Sequence, residues 1–322
     1  MRAMPLLLAC ASSPVLPTIG PALELDPAGD GVAAADLDGD GFDELFYIHD
    51  GVMRWAGGRL ELEGSFQRAA AGDLDGDGRE ELVLATGMSR EYRGPAHLEV
   101  VSADSVERLA SFPGDRTQIP ELRVIDGQVW VATYANSRVV ESGWVVSGAL
   151  DVKASGLLAT RSVPVGEEVV LAHVYGPEPK SDGDVRVGAR VLPSHRGARS
   201  LAVADLDDDG DLELLAGDGW HYAYGERADG RVTLFEGPRW EESRAIAHFS
   251  DDYSAREIEV LEEGWILVTG TSGVHLLVRD SLGWKDHVLR DIPESAVAVA
   301  VRTPKGPAVL VSGTPSVLVP LR

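Results

Sequence analysis

The nine-residue segment Asp36–Glu44, which reads DLDGDGFDE, recurs twice more along this chain. The second copy, Asp73–Glu81, reads DLDGDGREE, and the third, Asp205–Glu213, reads DLDDDGDLE. Each copy follows small or apolar residues and precedes an apolar run. The repeated unit is therefore a strand, an acidic turn and a second strand. We call the three segments acidic loops 1, 2 and 3.

The pattern Asp-x-Asp-x-Asp-Gly-x-x-Glu suits a bound calcium ion. Ca²⁺ takes six to eight oxygen ligands at about 2.3–2.6 Å. Carboxylates at loop positions 1, 3 and 5 converge when the chain curls around an ion, and the glycine at position 6 permits the sharp turn. Position 7 offers its carbonyl oxygen, and position 9 adds a carboxylate. Without a cation these carboxylates repel one another, so three recurrences favour a metal over a solvated acidic turn.

An EF-hand begins in the same way but needs a glutamate at position 12. That position holds Tyr47, Leu84 and Ala216 in the three loops. Each loop also leads into an apolar run typical of a strand rather than into a helix. The sequence therefore excludes an EF-hand.

Units of roughly 40 residues organise the rest of the chain, a length typical of propeller blades. Four further segments have the pattern of paired strands without the acidic loop, which makes seven units: Leu122–Ala132, Glu168–Val174, Ile258–Val268 and Ala296–Val311. No segment keeps a helical apolar period. These features predict an all-β fold, a seven-bladed β-propeller of four-stranded antiparallel blades, formed by residues 21–322 as one domain.

The last unit has room for only about three strands. An open ring would leave unpaired strand edges, which natural β-proteins avoid. The segment Ala22–Leu25 is therefore predicted to supply the fourth strand of the last blade and to close the ring.

An acidic loop of this pattern that leads into a strand resembles the FG-GAP/VCBS repeats, known from the head of integrin α chains and from many bacterial surface proteins. The resemblance spans most of the chain, and it implies a propeller that holds about three Ca²⁺ ions. By loop position it implies side-chain ligands at positions 1, 3, 5 and 9 and main-chain oxygens at position 7. The family usually has aspartate at position 9, so glutamate is a departure. The implied side-chain ligands are Asp36, Asp38, Asp40, Glu44, Asp73, Asp75, Asp77, Glu81, Asp205, Asp207, Asp209 and Glu213, and the main-chain ligands are Phe42, Arg79 and Asp211.

Residues 1–20 are predicted to be an export signal with a short linker. The run Leu7–Cys10 resembles a bacterial lipobox, in which the cysteine becomes the lipid-bearing first residue, and Cys10 is the one cysteine of the chain. The apolar stretch before it is shorter than the roughly 7–15 residues of a normal signal. Export without lipidation and an ordinary frayed N-terminus stay open. We expect an outer-membrane or cell-surface lipoprotein, with a periplasmic or secreted protein as the alternative. No membrane contact is predicted beyond the lipid anchor.

The net charge of −23 argues against nucleic acid as a partner, because acidic side chains repel phosphates. No nucleophile elbow, zinc-protease motif or phosphate loop is present, so no catalytic residue is predicted. The function hypothesis is a non-enzymatic module that binds an extracellular protein or glycan. The alternatives are a lectin and a polysaccharide lyase or hydrolase that uses the propeller face.

Overall fold

The computed structural model describes residues 19–25, 31–88, 92–112, 117–125, 127–135, 139–145, 159–165, 168–173, 184–192, 198–219, 229–250, 253–261, 264–291, 297–313 and 315–321. All regular elements in these ranges are β-strands, and neighbouring strands pair antiparallel. A search of the same ranges finds no helix with the length and apolar character of a membrane span. The all-β prediction is confirmed.

The strands are mostly short. In chain order they are β1 (Leu23–Leu25), β2 (Gly31–Ala35), β3 (Glu44–His49), β4 (Val52–Trp55), β5 (Gly58–Glu61), β6 (Ser65–Gly72), β7 (Glu81–Gly87), β8 (Ala96–Val101), β9 (Val106–Phe112), β10 (Thr117–Ile125), β11 (Gln128–Ala135), β12 (Val139–Val145), β13 (Ala159–Val165), β14 (Glu168–His173), β15 (Val185–Val187), β16 (Arg190–Leu192), β17 (Ser200–Ala204), β18 (Glu213–Gly217), β19 (Arg231–Phe235), β20 (Ser243–His248), β21 (Ala255–Val260), β22 (Ile266–Gly270), β23 (Gly273–Asp280), β24 (Gly283–Asp291), β25 (Ala298–Thr303), β26 (Gly306–Val311) and β27 (Ser316–Pro320).

These strands form sheets that follow the chain. Four-stranded sheets are made by β2–β5, β6–β9, β13–β16, β17–β20 and β21–β24, and a three-stranded sheet by β10–β12. The four repeat units predicted without an acidic loop all fall on strands of these sheets or of the last sheet. In the first of them Ile125 pairs with Gln128 around a turn at Gly127, as the predicted hairpin requires.

The last sheet joins the two ends of the chain, in the order β1-β27-β26-β25. Leu23 pairs with Leu318 and Leu25 pairs with Ser316. An isolated bridge between Ile19 and Leu321 extends this contact towards the N-terminus. The predicted fourth strand of the last unit is confirmed, and the edge of β27 is covered.

The first strands of successive sheets lie next to one another. Strand β2 contacts β25 and β6, β10 contacts β6 and β13, and β17 contacts β13 and β21. Between β21 and β25, the Ala300 N–H donates to Glu259 Oε2 over 3.5 Å. These strands surround a central cavity to which β2, β6, β10, β17, β21 and β25 all contribute.

The apolar core is divided among the spaces between consecutive sheets. One cluster packs Phe46 of β3 against Leu82 and Leu84 of β7. Another packs Trp265, beside β22, against Val309 of β26. The apolar runs that follow the acidic loops become the second strands of their sheets, and β7 and β18 are buried along their whole length. The apolar side chains of each sheet are therefore buried by contact with the neighbouring sheets, as in other repeat architectures.

Candidate metal sites and the central cavity

The three acidic loops occupy equivalent places in the fold. Each connects the first strand of a sheet to the second: loop 1 joins β2 to β3, loop 2 joins β6 to β7, and loop 3 joins β17 to β18. Loops 1 and 2 touch, because the Asp36 N–H donates to Glu80 Oε2 over 3.0 Å and the Glu80 N–H donates to the Asp36 carbonyl over 2.9 Å.

The backbone takes the same path in all three loops. Positions 4 and 6 have positive φ in each: 75° and 89° at Gly39 and Gly41, and 81° and 87° at Gly76 and Gly78. In loop 3 the corresponding values are 59° at Asp208 and 91° at Gly210. Glycine adopts this left-handed conformation without steric cost, and aspartate is among the few other residues that visit it. The loop-3 sequence therefore keeps the turn despite its substitution at position 4.

Hydrogen bonds from the backbone hold the carboxylates in the loops. The Asp at position 1 accepts the N–H of the position-6 glycine over 2.9 Å in every loop. The Glu at position 9 accepts the N–H of the position-2 leucine over 2.8 Å in every loop. The Asp at position 5 accepts the N–H of position 7 over 2.8–2.9 Å. The same contacts recur three times, so the loop pattern itself determines the geometry.

Carboxylate oxygens converge in each loop. In loop 1 those of Asp36, Asp38 and Asp40 lie within 4.8 Å of one another. In loops 2 and 3 the corresponding groups hold positions 1, 3 and 9: Asp73, Asp75 and Glu81, and Asp205, Asp207 and Glu213. Oxygens around one ion at about 2.3–2.6 Å are separated by distances of this size. Each group could therefore hold a metal ion, and the all-oxygen donor set suits a hard cation.

Burial and nearby carboxylates shift the pKa values of the position-9 glutamates. The pKa values of Glu44, Glu81 and Glu213 are all raised, first by burial and further by repulsion from neighbouring aspartates of the same loop. The hydrogen bond from the position-2 N–H opposes the rise in each case. A cation placed among these groups would remove the repulsion.

The predicted ligands differ in how they are placed. Nine of the twelve side chains belong to the converging groups. The other three, Glu44, Asp77 and Asp209, lie in the same loops and accept the backbone bonds described above. At position 7, Phe42, Arg79 and Asp211 donate their N–H groups within the loop, and coordination by their carbonyl oxygens stays a prediction. Cys10 lies outside the described residues.

Sequence reasoning missed the acids at position 8, Asp43 and Glu80. Asp43 accepts three bonds from Arg302: from N over 2.7 Å, from Nε over 2.8 Å and from Nη2 over 2.6 Å. Arg302 Nη2 also donates to Glu80 Oε1 over 2.9 Å. Arg302 therefore joins the last sheet to both loops. The recurrence of an acid at position 8 was visible in the sequence, but its partner is distant in the chain.

Replacing Asp43 by alanine is expected to cost about 2 kcal/mol of unfolding free energy, because it removes charged hydrogen bonds to a carboxylate whose side chain is only 7% exposed. The expected loss of unfolding free energy is modest for a charged group, because the Arg302 side chain is 47% exposed and water screens its charge. The measurement is urea denaturation. The control is Glu61→Ala, which breaks an exposed pair with Arg59 and should cost under about 0.5 kcal/mol. Equal costs for the two variants would contradict the role of Asp43.

The central cavity has a volume of about 730 Å³. The position-8 residues of all three loops, Asp43, Glu80 and Leu212, line it, so the acidic loops border this cavity. Arg68 of β6 and Glu257 of β21 form an ion pair with an Nε–Oε1 distance of 3.5 Å. Arg123 of β10 pairs with Glu121 at 2.8 Å and donates to the Leu201 carbonyl of β17. Charged side chains thus link strands of different sheets within the cavity.

Searches for relatives give no family and no curated protein that matches the chain. Solved structures do resemble it. The N-terminal part of BBS1, from a complex of BBS1N with ARL6DN, has a TM-score of 0.55 at 12% identity, with 94% of this chain and 95% of that chain covered. The gluconolactonase XC5397 from Xanthomonas campestris has a TM-score of 0.52 at 14% identity, with 95% and 99% covered.

The extracellular domain of BT4673 from B. thetaiotaomicron has a TM-score of 0.51 at 12% identity. It matches 93% of this chain, which spans only 39% of that longer chain. These neighbours are β-propeller-like proteins, and identities this low bear on the fold alone. Because no family matches the chain, its resemblance to the FG-GAP/VCBS repeats stays a prediction. The chain has a β-propeller-like, all-β fold with three acidic groups that could hold metal ions.

Proposed function

We propose that this protein is an exported, seven-bladed calcium-binding β-propeller of the FG-GAP/VCBS type that serves as a non-enzymatic module for binding an extracellular protein or glycan. The observation that carries the proposal is the identical conformation of the three acidic loops, each with converging carboxylates. The described strands support the blade number, because they fall into seven sheets with apolar clusters between them.

Calcium is the ion that the loops suit best. The donors are all oxygens, which excludes the sulfur and imidazole sets favoured by zinc and copper. Mg²⁺ demands a near-ideal octahedron at about 2.0–2.1 Å and keeps several waters, whereas Ca²⁺ accepts irregular sets of six to eight oxygens. Each acidic loop offers up to four carboxylates and one main-chain carbonyl, which is the irregular oxygen set that Ca²⁺ accepts. Their role is structural, since each ion pins the turn between the first two strands of a sheet.

The binding role is supported by the exposure of the acidic loops and by the packing of the tryptophans whose side chains the structure describes. The middle of each acidic loop is exposed, which places charged, hydrogen-bonding groups around the cavity. Among the tryptophans whose side chains the structure describes, Trp130, Trp240 and Trp265 are buried, and Trp55 and Trp284 are half-buried. These side chains are occupied in packing rather than free to stack on a sugar ring, which favours a polar loop surface as the contact site.

The binding role is tested with glycan arrays and with arrays of extracellular proteins, each in calcium and again after chelation. We expect a ligand that is bound only in calcium, because the loops that form the contact surface need the ion to keep their shape. Polysaccharides are incubated with the same preparation and assayed for new reducing ends or unsaturated products. Turnover in that assay would contradict the non-enzymatic role and support the lyase or hydrolase alternative.

A further inference from the structure

The described wall of the central cavity combines apolar and charged side chains. The apolar part includes alanines of three first strands, such as Ala70 of β6 and Ala300 of β25, together with valines such as Val124 and Val299. The volume of the cavity, about 730 Å³, lies in the range of small-molecule sites, roughly 300–1,000 Å³.

Charged side chains line this cavity unevenly. Among the described residues, five carboxylates and three guanidinium groups contribute to the wall: Asp43, Glu80, Glu121, Glu257, Glu259, Arg68, Arg123 and Arg302. Each of these arginines is engaged with carboxylates of the same wall, Arg68 with Glu257, Arg123 with Glu121, and Arg302 with Asp43 and Glu80. Carboxylates therefore outnumber cations in the described part of the wall, and Glu259 is the carboxylate there that no arginine offsets through an ion pair.

Glu259 is a half-buried carboxyl group of β21 that lines the cavity. Its hydrogen-bond donor in the described structure is the Ala300 N–H, at the long distance of 3.5 Å. The pKa of Glu259 is raised to about 7, chiefly by burial and also by repulsion from Glu257 and Asp43, while the Ala300 N–H and Arg123 oppose the rise. A partly buried carboxyl group whose described hydrogen-bond donor lies 3.5 Å away is costly to ionise unless a cation binds next to it.

We propose that the central cavity binds a small aliphatic amine in its ammonium form, with Glu259 as the counter-ion of the ammonium group. The excess of carboxylates and the engaged arginines disfavour an anionic ligand. A metal ion is disfavoured too, because the converging carboxylate groups of the described residues lie in the acidic loops and none includes Glu259. The apolar part of the wall accommodates the aliphatic part of the ligand. This inference does not depend on the proposed calcium-dependent function.

Ammonium binding should depend on pH through Glu259. The charged groups that face it are Glu257 on the same strand, Arg123 on β10 and Asp43 of loop 1. No histidine belongs to the described wall of the cavity. Because the ligand binds only the ionised carboxylate, affinity should rise as the pH passes upward through the Glu259 pKa of about 7. Carboxylates with ordinary pKa values near 4 would give no such change between pH 6 and pH 8.

The test is isothermal titration calorimetry of the full chain with putrescine at saturating calcium, so that the acidic loops are occupied. We expect binding that tightens about tenfold from pH 6 to pH 8, and no binding of 1,4-butanediol, which has the same length and no charge. Glu259→Gln should weaken putrescine binding at pH 8 at least tenfold and abolish its pH dependence. Ala300→Leu, which narrows the cavity without changing its charge, should weaken binding as well.

The matched control is Glu241→Gln, an exposed glutamate that does not line the cavity. It removes the same charge and should leave binding unchanged. Melting curves of all variants establish that they are folded. The proposal is overturned if putrescine does not bind at millimolar concentration, if binding is the same at pH 6 and pH 8, or if Glu259→Gln binds as tightly as the wild-type chain. The last result would assign binding to the acidic surface instead.

Discussion

Excess chelator is expected to lower the melting temperature of the calcium-loaded chain by roughly 12 °C. An ion that binds only the folded state at 100 times its dissociation constant stabilises that state by about 2.7 kcal/mol. Three such ions contribute about 8 kcal/mol, and a chain of 322 residues, with an unfolding entropy of about 2.1 cal/mol/K per residue, shifts by about 1.5 °C per kcal/mol. Differential scanning calorimetry with and without chelator measures the shift, and elemental analysis of the dialysed protein should find about three calcium ions.

A variant without the position-1 ligands, Asp36→Asn with Asp73→Asn and Asp205→Asn, should melt at the low temperature whether or not chelator is present. Its matched control removes the same number of charges from exposed positions outside the loops: Asp104→Asn, Glu107→Gln and Glu241→Gln. The control should keep the full response to calcium. A wild-type transition that chelator leaves unmoved, in protein without bound calcium, would contradict both the metal sites and their structural role.

Removal of residues 1–25 is expected to destabilise the fold by about 2–4 kcal/mol and to cause self-association. The truncation deletes β1 and its backbone bonds to β27, each worth about 0.5–1.5 kcal/mol. It also exposes the edge of β27, and a free edge is a template for pairing with another chain. Urea denaturation gives the loss of stability, and light scattering over a concentration series detects the association.

Removal of residues 1–18 is the control, because it spares β1 and the bridge from Ile19 to Leu321. This shorter truncation should keep wild-type stability and stay monomeric if the wild type is monomeric. If the two truncations behave alike, pairing of β1 with β27 does not close the fold in solution. The comparison therefore isolates the contacts of residues 19–25: the three pairs from Leu23↔Leu318 to Leu25↔Ser316, the bridge from Ile19 to Leu321 and the bond from the Gly20 N–H to the Pro320 carbonyl.

The local features of this protein could be predicted because they depend on neighbouring residues. The loop conformation follows from glycine at position 6 and from aspartates that bond to N–H groups a few residues away, as between Asp73 and Gly78. The hairpin at Gly127 follows from an Asp-Gly pair between two apolar runs. Even the covering of β27 by β1 was predictable, since a count of strands left one sheet incomplete.

The contacts that join distant segments could not be predicted in this way. The chain itself determined the β-strands, their turns and the crowding of carboxylates in each acidic loop, because short-range sterics and hydrogen bonding decide these features. Only the tertiary structure placed Arg302 against Asp43 and Glu80 and brought Glu259 into the wall of the central cavity, where no arginine of the described wall forms an ion pair with it. Which charges meet there depends on how the sheets are arranged around the cavity, and residues far apart in sequence carry no local pattern that reveals it.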